Sequence, residues 1–265
     1  MPERSSYAEG APCWADILTP DPEGAQRFYS AVLGWEFQDL GEEMGHYTMC
    51  LVKGQPVAAM MAPTPEMEGM SPEWNVYLAT SDIGGALERV AAAGGQVALA
   101  AQEVPGAGTM AFAVDPAGGS FGLWQAAGHI GSKLWAEPGA MCWNQLATTG
   151  GSDVDAFYRE VFGYAGVDQL GDGSNFDYAV WQAAGIPEGE PAQVAGRWRV
   201  PAEQLPGGRP SWDAFFTVQD ADAAARIVAN GGGKIVHGPE DSPYGRMCAI
   251  LDPFGAHLQI CQLPG

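Results

Sequence analysis

Apolar positions along this chain alternate between a strand rhythm and a helix rhythm. Cys13–Thr19 is a strand-like run that stops at Pro20-Asp21-Pro22, where Asp21 can cap a helix holding Pro22 and Glu23 in its first turn. Ala25, Phe28, Tyr29 and Val32 then fall at helical spacing, and Gly34 closes the helix. Short alternating runs follow at Glu36–Leu40, Tyr47–Val52 and Val57–Ala62, separated by Gly and charged turns. After Trp74–Thr80 the order restarts. Asp82 caps a stripe of Ile83, Leu87, Val90 and Ala91, Gly94-Gly95 ends it, and three strands are expected near Gln96–Ala100, Thr109–Val114 and Ser120–Gln125. Each half of this stretch reads β-α-β-β-β.

The whole stretch then occurs a second time, roughly 130 residues later. Cys13-Trp14, Thr19, Phe28-Tyr29 and Leu33-Gly34-Trp35 return as Cys142-Trp143, Thr148, Phe157-Tyr158 and Phe162-Gly163-Tyr164. Tyr47 to Gly54 matches Tyr178 to Gly185, Pro72-Glu73-Trp74 matches Pro210-Ser211-Trp212, and Asp82 matches Asp220. Gly94-Gly95 returns as Gly231-Gly232, and Asp115-Pro116-Ala117-Gly118 as Asp252-Pro253-Phe254-Gly255. The order of these landmarks predicts a tandem duplication, with domains over 1–126 and 140–265 and a linker over 127–139. The predicted fold is α+β: four βαβββ modules whose curved, mostly antiparallel sheets form cups with helices outside. Pairing of modules within a copy or across copies stays open.

Charge and composition narrow the function. With 12 Lys+Arg against 32 Asp+Glu, the chain carries a formal net charge of −20, which argues against nucleic acid or an anionic membrane as partner. The longest apolar stretch, around Leu87–Ala101, is broken by Glu88, Arg89 and Gly94-Gly95, so no span is expected, and the N-terminus lacks a signal-peptide pattern. Five scattered cysteines without CxxC pairing read as reduced thiols, and the expected location is cytoplasmic. A monomer or weak dimer is expected. The acidic runs Glu66–Glu73 and Glu188–Glu190 read as solvated surface.

The modules, the signature Asp21…Phe28-Tyr29…Leu33-Gly34-Trp35 and the closing Asp-Pro-x-Gly turn resemble the vicinal oxygen chelate superfamily, which includes glyoxalase I, extradiol dioxygenases and bleomycin-resistance proteins. Within it the chain looks most like two-domain actinobacterial-type glyoxalase-like proteins often named hydroxylase. The resemblance implies a cup with a divalent metal held by His, Glu or Gln on a module's first and last strands. Those positions carry Trp14 and Trp143 on the first strands, Gly122 and Gln259 on the last, and fall near Val76 and Ala214 on the fifth strand of each copy. Indoles cannot ligate a metal, and one neutral Gln oxygen does not hold a divalent ion, so neither a metal nor any other cofactor is expected.

Aromatic surface takes the metal's place in this reading. Trp14, Trp143, Trp74, Trp212, Trp124, Trp181, Tyr77, Phe112, Phe215 and Met60 are expected to line the cups or their rims, with Gln259 among them, and facing rings can sandwich a planar ligand. The expected function is binding of a small apolar or aromatic molecule without a metal. The alternative is an enzyme of the same fold: a metal-dependent lyase or dioxygenase with ligands elsewhere, or a metal-free acid–base catalyst using Asp16, His257 or Tyr47. Asn144 and Asp213 are further polar candidates. A third possibility, action through protein contacts alone, would leave the cups filled by their own side chains. The long segment Ile186–Pro210, which holds Trp198, is expected to fold as a lid that makes the Trp143 cup differ from the Trp14 cup.

Overall fold

The structure, a computed structural model, describes residues 3–67, 69, 71–171, 176–186 and 191–265. The first domain runs β1 (Pro12–Leu18), α1 (Pro22–Leu33), β2 (Glu36–Asp39), β3 (Thr48–Val52), β4 (Gln55–Met61), β5 (Glu73–Ala79), α2 (Ile83–Ala92), β6 (Gln96–Val104), β7 (Gly108–Val114) and β8 (Ser120–Ala126). The second repeats this as β9 (Met141–Thr148), α3 (Ser152–Phe162), β10 (Gly166–Leu170), β11 (Asp177–Gln182), β12 (Gln193–Arg199), β13 (Ser211–Thr217), α4 (Ala221–Asn230), β14 (Lys234–Ser242), β15 (Gly245–Leu251) and β16 (His257–Gln262). Asp21, Asp82 and Asp220 cap α1, α2 and α4 by accepting backbone N–H bonds. α1 and α3 both stop at a left-handed glycine, Gly34 (φ 72°) and Gly163 (φ 69°).

Each domain forms one eight-stranded sheet, in the order β2-β3-β4-β1-β5-β8-β7-β6 and β10-β11-β12-β9-β13-β16-β15-β14. β1 and β5, like β9 and β13, are antiparallel neighbours at the centre, so the two modules of one copy share a sheet. This answers the pairing left open by the sequence.

The helices stand outside the cups, and on the side where the two domains meet. One continuous apolar core takes residues from both sheets and from all four helices. At its centre the rings of Trp35 and Trp74 each pack 5.2 Å from Phe216 of the other domain.

The repeated signature residues find one another across this interface. Trp74 Nε1 donates to Tyr29 Oη (3.1 Å), and Tyr29 donates to Asp252 Oδ2 in the other domain (3.0 Å). The mirror chain runs from Trp212 Nε1 to Tyr158 Oη (3.1 Å) and on to Asp115 Oδ2 (3.0 Å). Each aspartate's other oxygen accepts two N–H groups of its own Asp-Pro-x-Gly turn. Burial pushes both carboxyls upward against the pull of these donors, and pushes both tyrosine hydroxyls well above their ordinary range. The paired glycines fit the same interface, because a Cβ at Gly95 would stand 2.8 Å from the Phe157 ring.

Two expectations change. Ile186–Pro210 is no lid, since its centre is β12, the strand that joins β11 to β9 at the heart of the second sheet. Glycine and two arginines in Gly196-Arg197-Trp198-Arg199 hide the strand's alternation, and Arg197 is buried because Asp155 and Asp177 pair with it at 2.9 Å. Residues 187–190, with the acidic run 188–190, lie outside the described residues, as do residues 68 and 70 of the run 66–73. No described helix is long and apolar enough to cross a membrane. All five cysteines are free thiols.

Candidate functional site

Each sheet leaves one concave face away from the shared core, and strand register decides which side chains meet there. In the first domain Trp14 stands opposite Tyr77, and Tyr77 opposite Gly122. The equivalent row in the second domain is Trp143, Phe215 and Gln259. The fifth-strand positions are therefore Tyr77 and Phe215, one residue beyond the expected Val76 and Ala214, which face the core. One strand period away lies a polar row, Asp16 and Asn75 in the first domain and Gln145, Asp213 and His257 in the second.

The first concave face is closed on itself. Trp14 Nε1 donates to Tyr47 Oη (2.9 Å). The Tyr47 and Tyr77 hydroxyls donate to Asp16 Oδ2 (3.0 and 2.8 Å), and Asn75 Nδ2 donates to Oδ1 (2.9 Å). Asp16 is 4% exposed, and burial raises its carboxyl against these three donors. Burial and the Asp16 charge together push the two tyrosine hydroxyls well above 10. Phe112 packs on Tyr77 at 5.3 Å. Only a glycine at 122 admits the Tyr77 ring, because a Cβ there would come within 2.3 Å of it.

The interdomain linker then crosses this face. Ala127 and His129 donate backbone N–H bonds to Ala107, and Ser132 donates to Cys13. The His129 imidazole stands edge-on to Trp14 with centroids 4.6 Å apart, and Trp124 Nε1 donates to its carbonyl (2.8 Å). Burial, then Lys133, lowers His129 to about 4, so the ring is neutral, and its buried Nε2 has no hydrogen-bond partner among the described residues. Tyr7 Oη donates to the Ser132 carbonyl (2.6 Å) and packs with the Trp14 cluster.

The second concave face differs at its indole, while Phe215 and Gln259 beside it are buried, 5% and 9% exposed. Trp143 is partly exposed and donates Nε1 to Tyr178 Oη (2.8 Å), repeating the Trp14–Tyr47 bond. Phe176 stacks on Tyr178 at 5.7 Å, while Tyr178 lies over Gly196, whose Cβ would stand 2.0 Å from the hydroxyl. Below this pair, Asp213 is 1% exposed and takes Gln145 Nε2 (3.3 Å) on one oxygen and His257 Nδ1 (3.0 Å) on the other. Trp198 packs beside the face on Ala147, Val200 and Leu205. Two shallow surface depressions, one beside α1 and one at the β14–β15 tip, do not include these rows.

Of the expected site residues, Trp14, Tyr47, Asp16, Tyr77, Phe112 and Trp124 meet on the first face, and Trp143, Phe215, Gln259 and His257 on the second. Trp74, Trp181, Trp212 and Met60 do not line a cup. They point to the opposite face of their strands, at most 3% exposed, in the core between the domains. Asn144 is buried in that same direction, opposite Ala214. Sequence reasoning missed Tyr178, Gln145 and the plugging role of His129. The first two were readable as the repeat partners of Tyr47 and Asp16; nothing local marks the third.

With this geometry in hand, comparison with known proteins is direct. Residues 14–124 match the model of a glyoxalase-like domain, and residues 155–260 that of the Glyoxalase/Bleomycin resistance protein/Dioxygenase superfamily. The chain belongs to this vicinal oxygen chelate superfamily. Relatives of its full length include CFP32 of Mycobacterium tuberculosis, provisionally named a glyoxylase, at 38% identity over 98% of this chain and 97% of that one. The anthracycline biosynthesis protein DnrV of Streptomyces peucetius is 32% identical over 97% and 94%. The Mn(II)-bound glyoxalase of Novosphingobium aromaticivorans shares the fold with a TM-score of 0.64 at 18% identity, covering 97% of this chain and 83% of that one. The 2,3-dioxygenase LapB of Pseudomonas sp. KL28 does so with 0.65 at 14%, covering 98% and 96%.

The divalent ion implied by the superfamily does not fit the residues present. The two register rows offer Trp, Tyr and Gly in one domain and Trp, Phe and Gln in the other, with no imidazole, carboxylate or thiolate. Asp16 is already engaged by three donors, and Asp213 and His257 are bound to each other. Among the described residues no three His, Cys, Asp or Glu side chains cluster closely enough to hold a metal.

Proposed function

We propose that the protein binds a small planar aromatic molecule on the concave face of its second domain, without a metal. The observation that carries this reading is Trp143. Its indole is partly exposed, fixed at Nε1 by Tyr178, and register-paired with Phe215 where the superfamily's metal chemistry would sit. An oriented indole offers a ligand a flat apolar face at little entropic cost, because its own rotamer is already held. The first face contributes no site in this reading, since His129 occupies the position a ligand would take over Trp14. A relative named for anthracycline biosynthesis is in keeping with an aromatic ligand. Titration of tryptophan fluorescence with an aromatic panel, before and after treatment with EDTA, tests the proposal. Saturable quenching that survives the chelator is expected. Silence across the panel, or binding that vanishes with EDTA and returns with a divalent ion, would refute it.

A further inference from the structure

Ring binding leaves the thiols without a task, and two of them meet in the second domain. Cys142 is the extra residue where β9 bulges against β13, since Met141 stands opposite Phe216 and Trp143 opposite Phe215. A bulge re-aims the side chain it carries, and the Cys142 sulfur lies 3.6 Å from the Phe215 carbonyl oxygen. Two residues along from Phe215 and Gln259, and so on the same concave side, stand the register partners Thr217 and Cys261. There the Cys142 thiol donates a hydrogen bond to the Cys261 sulfur. That bond lowers Cys261 against the effect of burial, and raises Cys142 in concert with it. Thr217 is 4% exposed, and its hydroxyl lies beside the Cys142 sulfur with no oxygen or nitrogen partner among the described residues.

The first domain builds no such pair. Cys13 repeats the Cys142 position, with its sulfur 3.4 Å from the Tyr77 carbonyl, but Ala79 and Trp124 stand where the second domain has Thr217 and Cys261. Nor are Cys142 and Cys261 placed for a disulfide. β13 lies between β9 and β16, so their backbones run about 9.5 Å apart, beyond the roughly 7 Å between Cα atoms that a disulfide spans. An ion between the sulfurs relaxes that limit, because with metal–thiolate bonds of about 2.3 Å the two sulfurs can stand as much as about 4.6 Å apart. Zn(II) would call for four ligands, and among the described residues no third His, Cys, Asp or Glu joins the pair. A soft monovalent ion is satisfied by two thiolates.

From this cluster we infer that Cys142 and Cys261 form a two-coordinate site for Cu(I), with Thr217 donating its hydroxyl hydrogen to one of the thiolates. On binding, each S–H bond breaks, its electron pair stays on sulfur and is shared with the ion, and two protons pass to solvent. Copper remains Cu(I), so no oxidant or reductant is consumed. Cys142 is partly exposed and gives the ion its entry, whereas Cys261 is 2% exposed. Thr217 gains the partner it lacks, because a thiolate accepts hydrogen bonds. Ring binding at Trp143 and copper binding here do not depend on each other.

Anaerobic titration of the whole protein with Cu(I) against bicinchoninate, a chelator whose copper complex is coloured, tests the site. One tight ion per chain is expected. Cys142→Ser and Cys261→Ser should each weaken it by about a hundredfold or more, as a chelate that loses one of two arms does, while Cys13→Ser should leave it unchanged. Thr217→Val should weaken it severalfold and keep the stoichiometry. X-ray absorption at the copper edge should show two sulfur neighbours in the native protein. Circular dichroism confirms folding, and if Cys261→Ser does not fold, Cys142→Ser on the partly exposed side carries the test. Absence of a tight site, tight binding that survives in folded Cys142→Ser, or a single sulfur neighbour would overturn the inference. So would a Cys142–Cys261 disulfide found by mass spectrometry after peroxide treatment, since the two strands would then approach more closely than the structure places them.

Discussion

Two buried titratable side chains give the first domain opposite responses to pH. His129 is lowered from 6.5 to about 4, so below 6.5 the unfolded chain takes a proton that the folded chain refuses. The stability from burying a neutral ring is therefore complete above pH 6.5 and lost as pH falls toward 4. His129→Phe keeps an edge for Trp14 and cannot titrate, so it should remove this acid-side loss, on the order of 2 kcal/mol, in urea unfolding between pH 6.5 and 4. An unchanged slope would mean that the imidazole is not buried. Asp16 works in the other direction. Its raised carboxyl binds a proton more tightly folded than unfolded, so its contribution is fullest below 3.8 and lost as pH rises through the folded-state value. Asp16→Asn should flatten that decline, measured by the same unfolding experiment on the alkaline side of 3.8. Trp14 and Asp16 of this network were legible, because counting back from Phe28-Tyr29 lands on Trp14 and one strand period leads to Asp16, whereas Asn75 carried no signal. His129 was not, since only the three-dimensional path of the linker brings it to the first cup.

At the scale of elements, the motifs that mark the modules in sequence are also what joins the domains. Tyr29 and Tyr158 each serve a tryptophan N–H and a buried aspartate across the interface. Tyr29→Phe leaves Trp74 Nε1 without its acceptor and Asp252 without one donor, so a loss of about 2–4 kcal/mol is expected in chemical denaturation. Tyr158→Phe should match it, because the second clasp repeats the first. Gly95→Ala adds a methyl 2.8 Å from Phe157 and 2.9 Å from the Val114 carbonyl, an overpacking cost of about 1–3 kcal/mol. Losses below about 0.5 kcal/mol in all three variants would show that the interface is not where these motifs act. Helix caps, helix stripes and most strands were readable because their signals are local and periodic. The clasps were not, since Tyr29 and Asp252 lie 223 residues apart. β12 escaped for a different reason, as a buried arginine paired with two aspartates breaks the apolar alternation by which a strand is recognised.

The molecule as a whole is a duplicated scaffold whose halves differ on their concave faces. Both keep the Trp–Tyr bond on the concave face, with Trp14 to Tyr47 and Trp143 to Tyr178. In the first half the linker's His129 covers the indole, whereas in the second the indole is partly exposed above the Asp213–His257 pair. The asymmetry expected from the sequence is present, with a different cause: the linker covers the first cup, and the centre of Ile186–Pro210 is a strand of the second sheet. Half of the tryptophans expected to line the cups could not be assigned by composition, because on a strand the choice between core and cup turns on a one-residue register. Trp74 and Trp212 thus fell on the core side while Tyr77 and Phe215 fell on the other.

That division of labour is tested most directly by comparing 4-nitroanisole binding to Trp143→Ala and Trp14→Ala, both checked for folding by circular dichroism. Trp143→Ala should weaken binding by about 1–3 kcal/mol, roughly 5- to 150-fold in Kd, the scale of a well-packed aromatic anchor. Trp14→Ala should leave the affinity within about twofold, since His129 already covers that face. Equal losses in the two variants, or a loss confined to Trp14→Ala, would contradict the assignment of the site to the second domain.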